Sequence, residues 1–385
     1  MLTQERVAGY LLERGLLAPA AVLDDELTVR DASSRNRNYR VQTRDGSGYV
    51  LKQGVGPDTQ ATIANEAAVY HRLALGDVQL SGLLPRFGGY DPDEGLLVLE
   101  LVRGAEDLHT HHLGGSFSAS PAAAVGRALG LLHSRTGPLV GEVTAPAASA
   151  SAAPAPAAAT PPSPVSAATP APWTPAPWVL SLHRPDASVF RDVSAAGLEL
   201  IRIVQRTEGF GELLDGLRAR WAPSSLIHGD VKWSNVLVVG AGTPQESVKL
   251  IDWESAMVGD PSWDVGSALS QYLSFWLFSI PLTGGEAPER FPELAAYPLD
   301  AMKPALGACW VAYADAAGIA GSEVEQQLTR AVEMAAARLV QVAFEASQEQ
   351  QQLASSVVLH LQLAHNLLAR PREAPAELLG IRVGR

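Results

Sequence analysis

Three short apolar runs joined by fixed polar inserts constrain this chain more than any other feature. Leu226-Ile227 leads into His228-Gly229-Asp230; Asn235 follows and opens a second run, Val236 to Val239; a third, Val248 to Ile251, ends at Asp252-Trp253-Glu254. Runs of this length and composition read as strands. Two strand ends then deliver Asp230, Asn235 and Asp252 to one small region. A carboxylate that accepts or orients a hydroxyl proton, with an Asn and an Asp able to hold Mg²⁺, is the equipment that phosphoryl transfer requires.

HGDxxxxN, a short strand and IDWE together resemble the aminoglycoside phosphotransferase and choline kinase group, relatives of the protein kinases. The protein-kinase form is HRDxxxxN with DFG. Here Gly229 stands in place of the Arg and Trp253-Glu254 in place of Phe-Gly, both pointing to the small-molecule branch. The resemblance covers most of the chain. It implies an α+β, bilobal protein-kinase-like fold, with a small antiparallel-sheet N-lobe and a mostly helical C-lobe. It implies ATP and Mg²⁺, with Asp230 as catalytic base, Lys232 neutralising charge on the transferring phosphoryl group, and Asn235 and Asp252 holding the metal. His228 is expected to hold the catalytic loop. Gly259-Asp260-Pro-Ser-Trp-Asp264 is similar to the family's GDPxxD, which gives Asp264 a supporting bond to the catalytic-loop backbone.

The N-terminal third fits the same frame. Thr3 to Leu17 has amphipathic helical spacing, with Thr3 as a candidate N-cap and closure near Gly15. Strands are expected at Leu27–Arg30, Tyr39–Thr43 and Tyr49–Lys52, with an Asp45-Gly46 hairpin signal. Lys52 alone would read as a solvated strand end. The following helix, Ala61 to Leu75, carries Glu66, and NEAAVYHRL resembles the helix whose Glu fixes the kinase lysine on the α- and β-phosphates. The turn Asp31–Asn38 contains no Gly, so Ser34 and Asn36 are the candidate phosphate donors; an ordinary exposed hairpin loop is the other reading. Another strand is expected at Leu83–Phe87. The apolar run Gly95 to Val102 resembles the hinge strand, which sets the nucleotide base against backbone groups near Glu100 and Val102.

The organisation that follows is residues 1–103 as N-lobe, 104–140 as hinge and start of the C-lobe, 141–177 as a flexible insertion, and 178–385 as the C-lobe with the catalytic loop and acceptor site. The insertion is Ala/Pro/Ser/Thr-rich and nearly uncharged, so it reads as a spacer, with a partner-docking segment as the other possibility. Trp173 and Trp178 near its end are candidates to tuck against the C-lobe. Three histidines in Asp107–Leu113 invite a metal reading, but their spacing is i, i+2, i+3 with no nearby Cys and no HExxH, and a polar loop is the better account. Helices are expected at Pro121–Ser134, Ala195–Gln205, Gly211–Trp221, Ser267–Phe278, Ala301–Ala317, Ser322–Glu345 and Gln350–Leu368. Glu289, Glu293, Glu333 and Glu345 are candidates to meet a cationic acceptor, although each alone reads as solvated.

The formal net charge of −12 disfavours nucleic acid, which needs a basic face, and is compatible with a cationic acceptor. Val265 to Leu282 is interrupted by Gly, Ser, Gln and Pro, so it reads as a buried helix and no membrane partner is expected. No export signal opens the sequence, and a cytoplasmic location is expected. Cys309 is the only cysteine and reads as buried packing. Three functions remain open. The first is a kinase acting on a hydroxyl of a small, cationic metabolite or an aminoglycoside-like acceptor. The second is a Ser/Thr kinase acting on a precursor peptide in ribosomal-peptide natural-product maturation, partnered by a phosphate-eliminating lyase; Lys232 and the insertion suit it. The third is a non-catalytic kinase-like binding module, whose signature would be lost catalytic residues; here all are present.

Overall fold

The computed structural model describes residues 1–23, 27–33, 36–137, 175–187, 193–282 and 290–382. Ser34, Arg35, Trp173, Glu289 and the bulk of the Ala/Pro-rich stretch lie outside the described residues.

The N-terminal part is a five-stranded antiparallel sheet flanked by two helices. Its elements are α1 (Gln4–Glu13), β1 (Thr28–Asp31), β2 (Arg37–Gln42), β3 (Gly48–Gln53), α2 (Pro57–Gly76), β4 (Phe87–Asp91) and β5 (Leu96–Glu100), with strand order β1-β2-β3-β5-β4. Alternation along β5 explains its unbroken apolar run. Leu96 and Val98 join Val7 and Leu11 of α1, with Tyr39, Val41 and Leu51, in a core on one face. Leu97 and Leu99 join Ile63, Tyr70 and Leu73 of α2 on the other. Each such fully buried side chain contributes about 1.5–3 kcal/mol. The Leu2 amide donates to Gln53 Oε1 at 2.8 Å, which ties α1 to β3. Thr3 is the α1 N-cap residue, yet its side chain makes no capping bond.

The remainder is mostly helical. β6 (Glu106–Asp107), α3 (Leu108–Leu113), α4 (Ala119–Thr136), α5 (Ala195–Arg206) and α6 (Phe210–Ala219) precede the strands β7 (Ser225–Ile227), β8 (Val236–Val239), β9 (Ser247–Leu250) and β10 (Met257–Gly259). Then come α7 (Pro261–Phe278), α8 (Leu299–Ala317), α9 (Glu323–Ser347) and α10 (Ser355–Ala369). β6-β8-β9 form one small sheet, and β7 pairs with β10. Two glycines bring helix backbones together. A Cβ at Gly126 of α4 would lie 2.0 Å from the Cys309 carbonyl oxygen of α8, and one at Gly266 of α7 would lie 2.6 Å from the Ala335 amide of α9. Cys309 is buried in this packing. Val179 and Leu180 are buried, while Trp178 beside them packs edge-on against Phe344 with ring centroids 5.1 Å apart. No helix among the described residues is long and apolar enough to cross a membrane.

Two expectations are corrected. The strand placed at Leu83–Phe87 instead runs Phe87–Asp91, after a short helix at Val78–Ser81. Gly88-Gly89 reads as a breaker, but the register shifts between Phe87 and Gly89 and absorbs the pair as a bulge. The histidine segment is not a loop but the helix α3. The Asp107 carboxylate accepts from the Thr110 amide at 2.9 Å and caps it, and Leu108 and His112, one turn apart, are its buried residues.

Candidate active site

The site is assembled where the sheet of the first lobe meets the strand ends of the second. β3 carries Lys52 and α2 carries Glu66, which is 0% exposed. Lys52 Nζ donates to Glu66 Oε1 and Oε2 at 2.9 and 2.8 Å, and to Asp252 Oδ1 at 2.6 Å. Burial lowers the Lys52 pKa, but the attraction of Glu66 and Asp252 outweighs it, and the net shift is upward. The lysine is therefore a fixed cation at the end of β9.

Asp252 has φ 67 and ψ 59, the only positive φ of a non-glycine residue among the described residues. Left-handed backbone costs a non-glycine residue on the order of 1–3 kcal/mol and persists where surroundings enforce it. The surroundings are explicit. The Trp253 amide donates to Glu66 Oε1 at 3.3 Å, and Asn65 Nδ2 donates to the Glu254 and Ala256 carbonyls at 3.2 and 3.1 Å. Helix α2 thus holds both the lysine and the backbone that presents Asp252. Asn65 was not singled out from sequence; its signal is its place beside Glu66.

The catalytic loop lies between β7 and β8. His228 Nδ1 accepts from the Asp230 amide at 3.3 Å, so Nε2 carries the proton and donates to the Ile251 carbonyl at 2.9 Å. Asp264, in the first turn of α7, is fully buried. It accepts from the His228 and Gly229 amides at 2.7 and 2.9 Å and faces His133 Nε2 at 3.2 Å. Gly229 has φ 80, and a Cβ there would lie 2.3 Å from the Ser255 carbonyl oxygen. A side chain at this position, arginine included, has no room in this packing.

Asp230 sits in the cradle so formed. Lys232 Nζ donates to its Oδ2 at 2.7 Å, and Arg338 Nη2 donates to its Oδ1 at 2.5 Å. Burial raises the Asp230 pKa, but Arg338 and then Lys232 pull it down, and the net shift is downward. Arg338, on α9, is 2% exposed and was missed in the sequence. Its signal was a lone cation between Met334-Ala-Ala-Ala337 and Leu339-Val, on a buried helix face.

Asn235 Nδ2 donates to the Asp230 carbonyl at 3.0 Å, which directs its Oδ1 the opposite way. Lys52 engages one oxygen of Asp252 and leaves the other. Two hard oxygen donors suit Mg²⁺, which binds through one or two protein oxygens together with phosphates and water. No cluster of three or more His, Cys, Asp or Glu suited to a metal exists among the described residues. In the histidine segment, His111 bonds Glu106 and His112 bonds the Ser116 carbonyl.

The hinge end of the cleft holds a cavity of about 320 Å³ lined by Leu101, Val102, Arg103, Arg30 and Arg40. Arg30 pairs with Arg40, and Arg40 with Val50, so both arginines share the sheet face of Lys52. The Glu100 carboxylate takes the Arg86 amide at 3.0 Å. Asn36 is buried, and its Oδ1 has no hydrogen-bond partner among the described residues. Of the candidate acceptor acids among the described residues, Glu333 bonds Arg220, Glu293 pairs with Arg290, and Glu345 approaches the site, 3.8 Å from Arg338.

Residues 26–298 match the phosphotransferase enzyme family (APH). No curated protein matches the sequence at a significant level. Among solved structures, the choline kinase from Cryptosporidium parvum Iowa II is similar with a TM-score of 0.53 at 12% identity, over 98% of this chain and 100% of that one. The microcompartment-associated aminopropanol kinase is similar with a TM-score of 0.51 at 16% identity, over 98% and 99%. At such identities the likeness is one of fold, the bilobal protein-kinase-like one. With more than half of its length matched and its charged loop residues gathered at one cleft, the chain belongs to the phosphotransferase enzyme family and is a kinase.

Proposed function

We propose that this protein transfers the γ-phosphoryl group of ATP, with Mg²⁺, to a hydroxyl of a small acceptor carrying positive charge. The observation that carries the reading is the convergence of Lys52 from β3, Asp252 from the end of β9, and Asn235 and Asp230 from the β7–β8 loop onto one cleft. In this reading Lys52, held by Glu66, meets the α- and β-phosphates. Asn235 and Asp252 would hold the metal, which when bound neutralises phosphate charge. Asp230 orients the acceptor hydroxyl in line with the phosphorus. A carboxylate whose pKa is held down is a poor proton acceptor, so orientation is its main work; phosphoryl transfer through a loose transition state demands little more. Lys232, 39% exposed on its side chain, is free to turn from Asp230 toward developing charge. The net charge of −12 supports a cationic acceptor.

The test is Mg²⁺-ATP consumption by the pure protein with panels of aminoglycosides, amino-alcohols and Ser/Thr peptides, followed by mass spectrometry of the acceptor. One added phosphoryl group on a small cationic molecule, formed roughly 10³-fold more slowly with Asp230→Asn, is expected. Phosphate found on peptide alone would replace this reading with a peptide kinase. ATP binding without transfer to any acceptor would favour a binding module.

A further inference from the structure

We infer that Arg338 is a positioning residue for phosphoryl transfer: from α9 it fixes Asp230 from behind, leaving Lys232 as the movable partner. The inference rests on the kinase reading above. Its geometric basis is an asymmetry around one carboxylate. Both oxygens of Asp230 are held by cations, at 2.5 Å by Arg338 and 2.7 Å by Lys232. Arg338 is 2% exposed as a side chain, whereas Lys232 is 39% exposed. A buried guanidinium packed among helices has no other rotamer to visit, while a half-exposed ammonium on a flexible stem does. When an acceptor hydroxyl approaches, the bond that can yield is the one to Lys232.

Stability does not explain the arginine. Its Nε has no hydrogen-bond partner among the described residues, and its second acid, Glu345, stands 3.8 Å away with a side chain 52% exposed. An unpaired buried donor costs about 1–3 kcal/mol, and a buried ion pair is commonly no better than an apolar pair of the same volume. The fold nevertheless brings α9 into backbone contact with α7 at Gly266, two residues after the Asp264 that holds the catalytic loop. One helix pair therefore grips the loop twice, by its backbone through Asp264 and by its working carboxylate through Arg338. The arginine also lies beyond residues 26–298, the stretch that the family model matches.

The experiment compares Arg338→Met, Arg338→Lys and Arg338→Ala in the full-length protein. With the acceptor identified above, Arg338→Met should lower kcat about 10²-fold while the KM for ATP stays within about twofold. Arg338→Lys should recover at least a tenth of the activity, and guanidinium ion should partly rescue Arg338→Ala. In an Asp230→Asn background, Arg338→Met should cost less than about twofold further, because a residue acting through Asp230 has nothing left to act on. An undiminished loss in that background, or a rise in KM for ATP matching the fall in kcat, overturns the inference. Amide hydrogen exchange supplies a readout that needs no acceptor and is decided even if the kinase reading fails. Faster exchange in Arg338→Met should be confined to residues 229–235 and reversed in Arg338→Lys. Exchange that is unchanged there, or raised equally across all helices, overturns it.

Discussion

Lys52 Nζ lies 2.6 Å from Oδ1 of Asp252, a residue 200 positions later in the chain, and Glu66 holds the same ammonium from the other side. The proposed nucleotide-binding lysine and the proposed metal ligand are thus one electrostatic unit, closed by a fully buried glutamate. Breaking a buried pair strands the remaining charge, whereas replacing both members by apolar groups does not. Lys52→Met should therefore destabilise by about 3 kcal/mol and abolish transfer. Adding Glu66→Leu should restore part of the stability, because Asp252 and the Trp253 amide still lose their partners, and none of the activity. Thermal melts and phosphoryl-transfer assays on the single and double variants check this; a double variant no more stable than Lys52→Met would contradict it.

Gly229 should tolerate no side chain. Its φ of 80 and the 2.3 Å approach of the Ser255 carbonyl would force any Cβ to push the catalytic loop off the segment after Asp252. Gly229→Ala should cost about 1–3 kcal/mol of stability and at least about 10²-fold in kcat. Gly229→Arg, which restores the protein-kinase spelling, should be worse. Kinetics and denaturant unfolding of both variants decide the point, and a fully active Gly229→Arg would show that the loop has slack.

The pH dependence follows from the Asp230 pair. Burial raises the aspartate pKa and Arg338 and Lys232 more than reverse it, so its folded value lies below its ordinary one. Its ionic contribution is present above the unfolded value of about 3.9 and is lost as pH falls through the lower folded value. For Lys232, burial lowers the pKa and Asp230 more than reverses it, so the contribution is present below about 10.4 and is lost only above that. Neither group titrates between about pH 5 and 9, and kcat should show no limb from them across that window. A profile of kcat at saturating ATP and acceptor tests this. A limb near pH 7 that vanished in Asp230→Asn would count against it.

At the hinge end of the cleft, Arg30 and Arg40 oppose each other across β1 and β2, and like charges so placed repel unless something sits between or beneath them. A purine ring satisfies guanidinium groups by stacking, worth about 0.5–2 kcal/mol. Arg40→Ala should raise the KM for ATP several-fold and leave kcat unchanged; isothermal titration with a non-hydrolysable ATP analogue gives the same comparison without an acceptor. Unaltered affinity in the Arg30→Ala/Arg40→Ala double variant would remove both arginines from the nucleotide site.

How much of this was legible in the sequence depends on how local the signal is. Asp230, Asn235 and Asp252 are placed by strands ending in short polar loops, so pattern brought them together, while the pairing of Glu66 with Lys52 came from the resemblance to the family's helix. The histidine helix α3 was hidden because its period is one turn and its start is a single Asp107 cap. β4 was displaced by a glycine pair that reads as a turn and serves as a bulge. Arg338 was the most distant from local pattern: its partner lies 108 residues away, and only a cation stranded on an apolar helix face marked it. Ser34 and Glu289 lie outside the described residues, so their part in the site stands as it did in the sequence.

The glycine contact between α7 and α9 has a consequence for how the enzyme comes into being. Every residue of the HGD and IDWE segments leaves the ribosome well before Arg338 does. A nascent chain halted after α8 would hold the whole catalytic loop yet present Asp230 with Lys232 as its single cation. If Arg338 positions Asp230 as proposed, transfer competence arrives late in translation, when α9 docks beside Gly266, and a protease cut between α8 and α9 that freed α9 would silence the enzyme without touching a residue of its motifs.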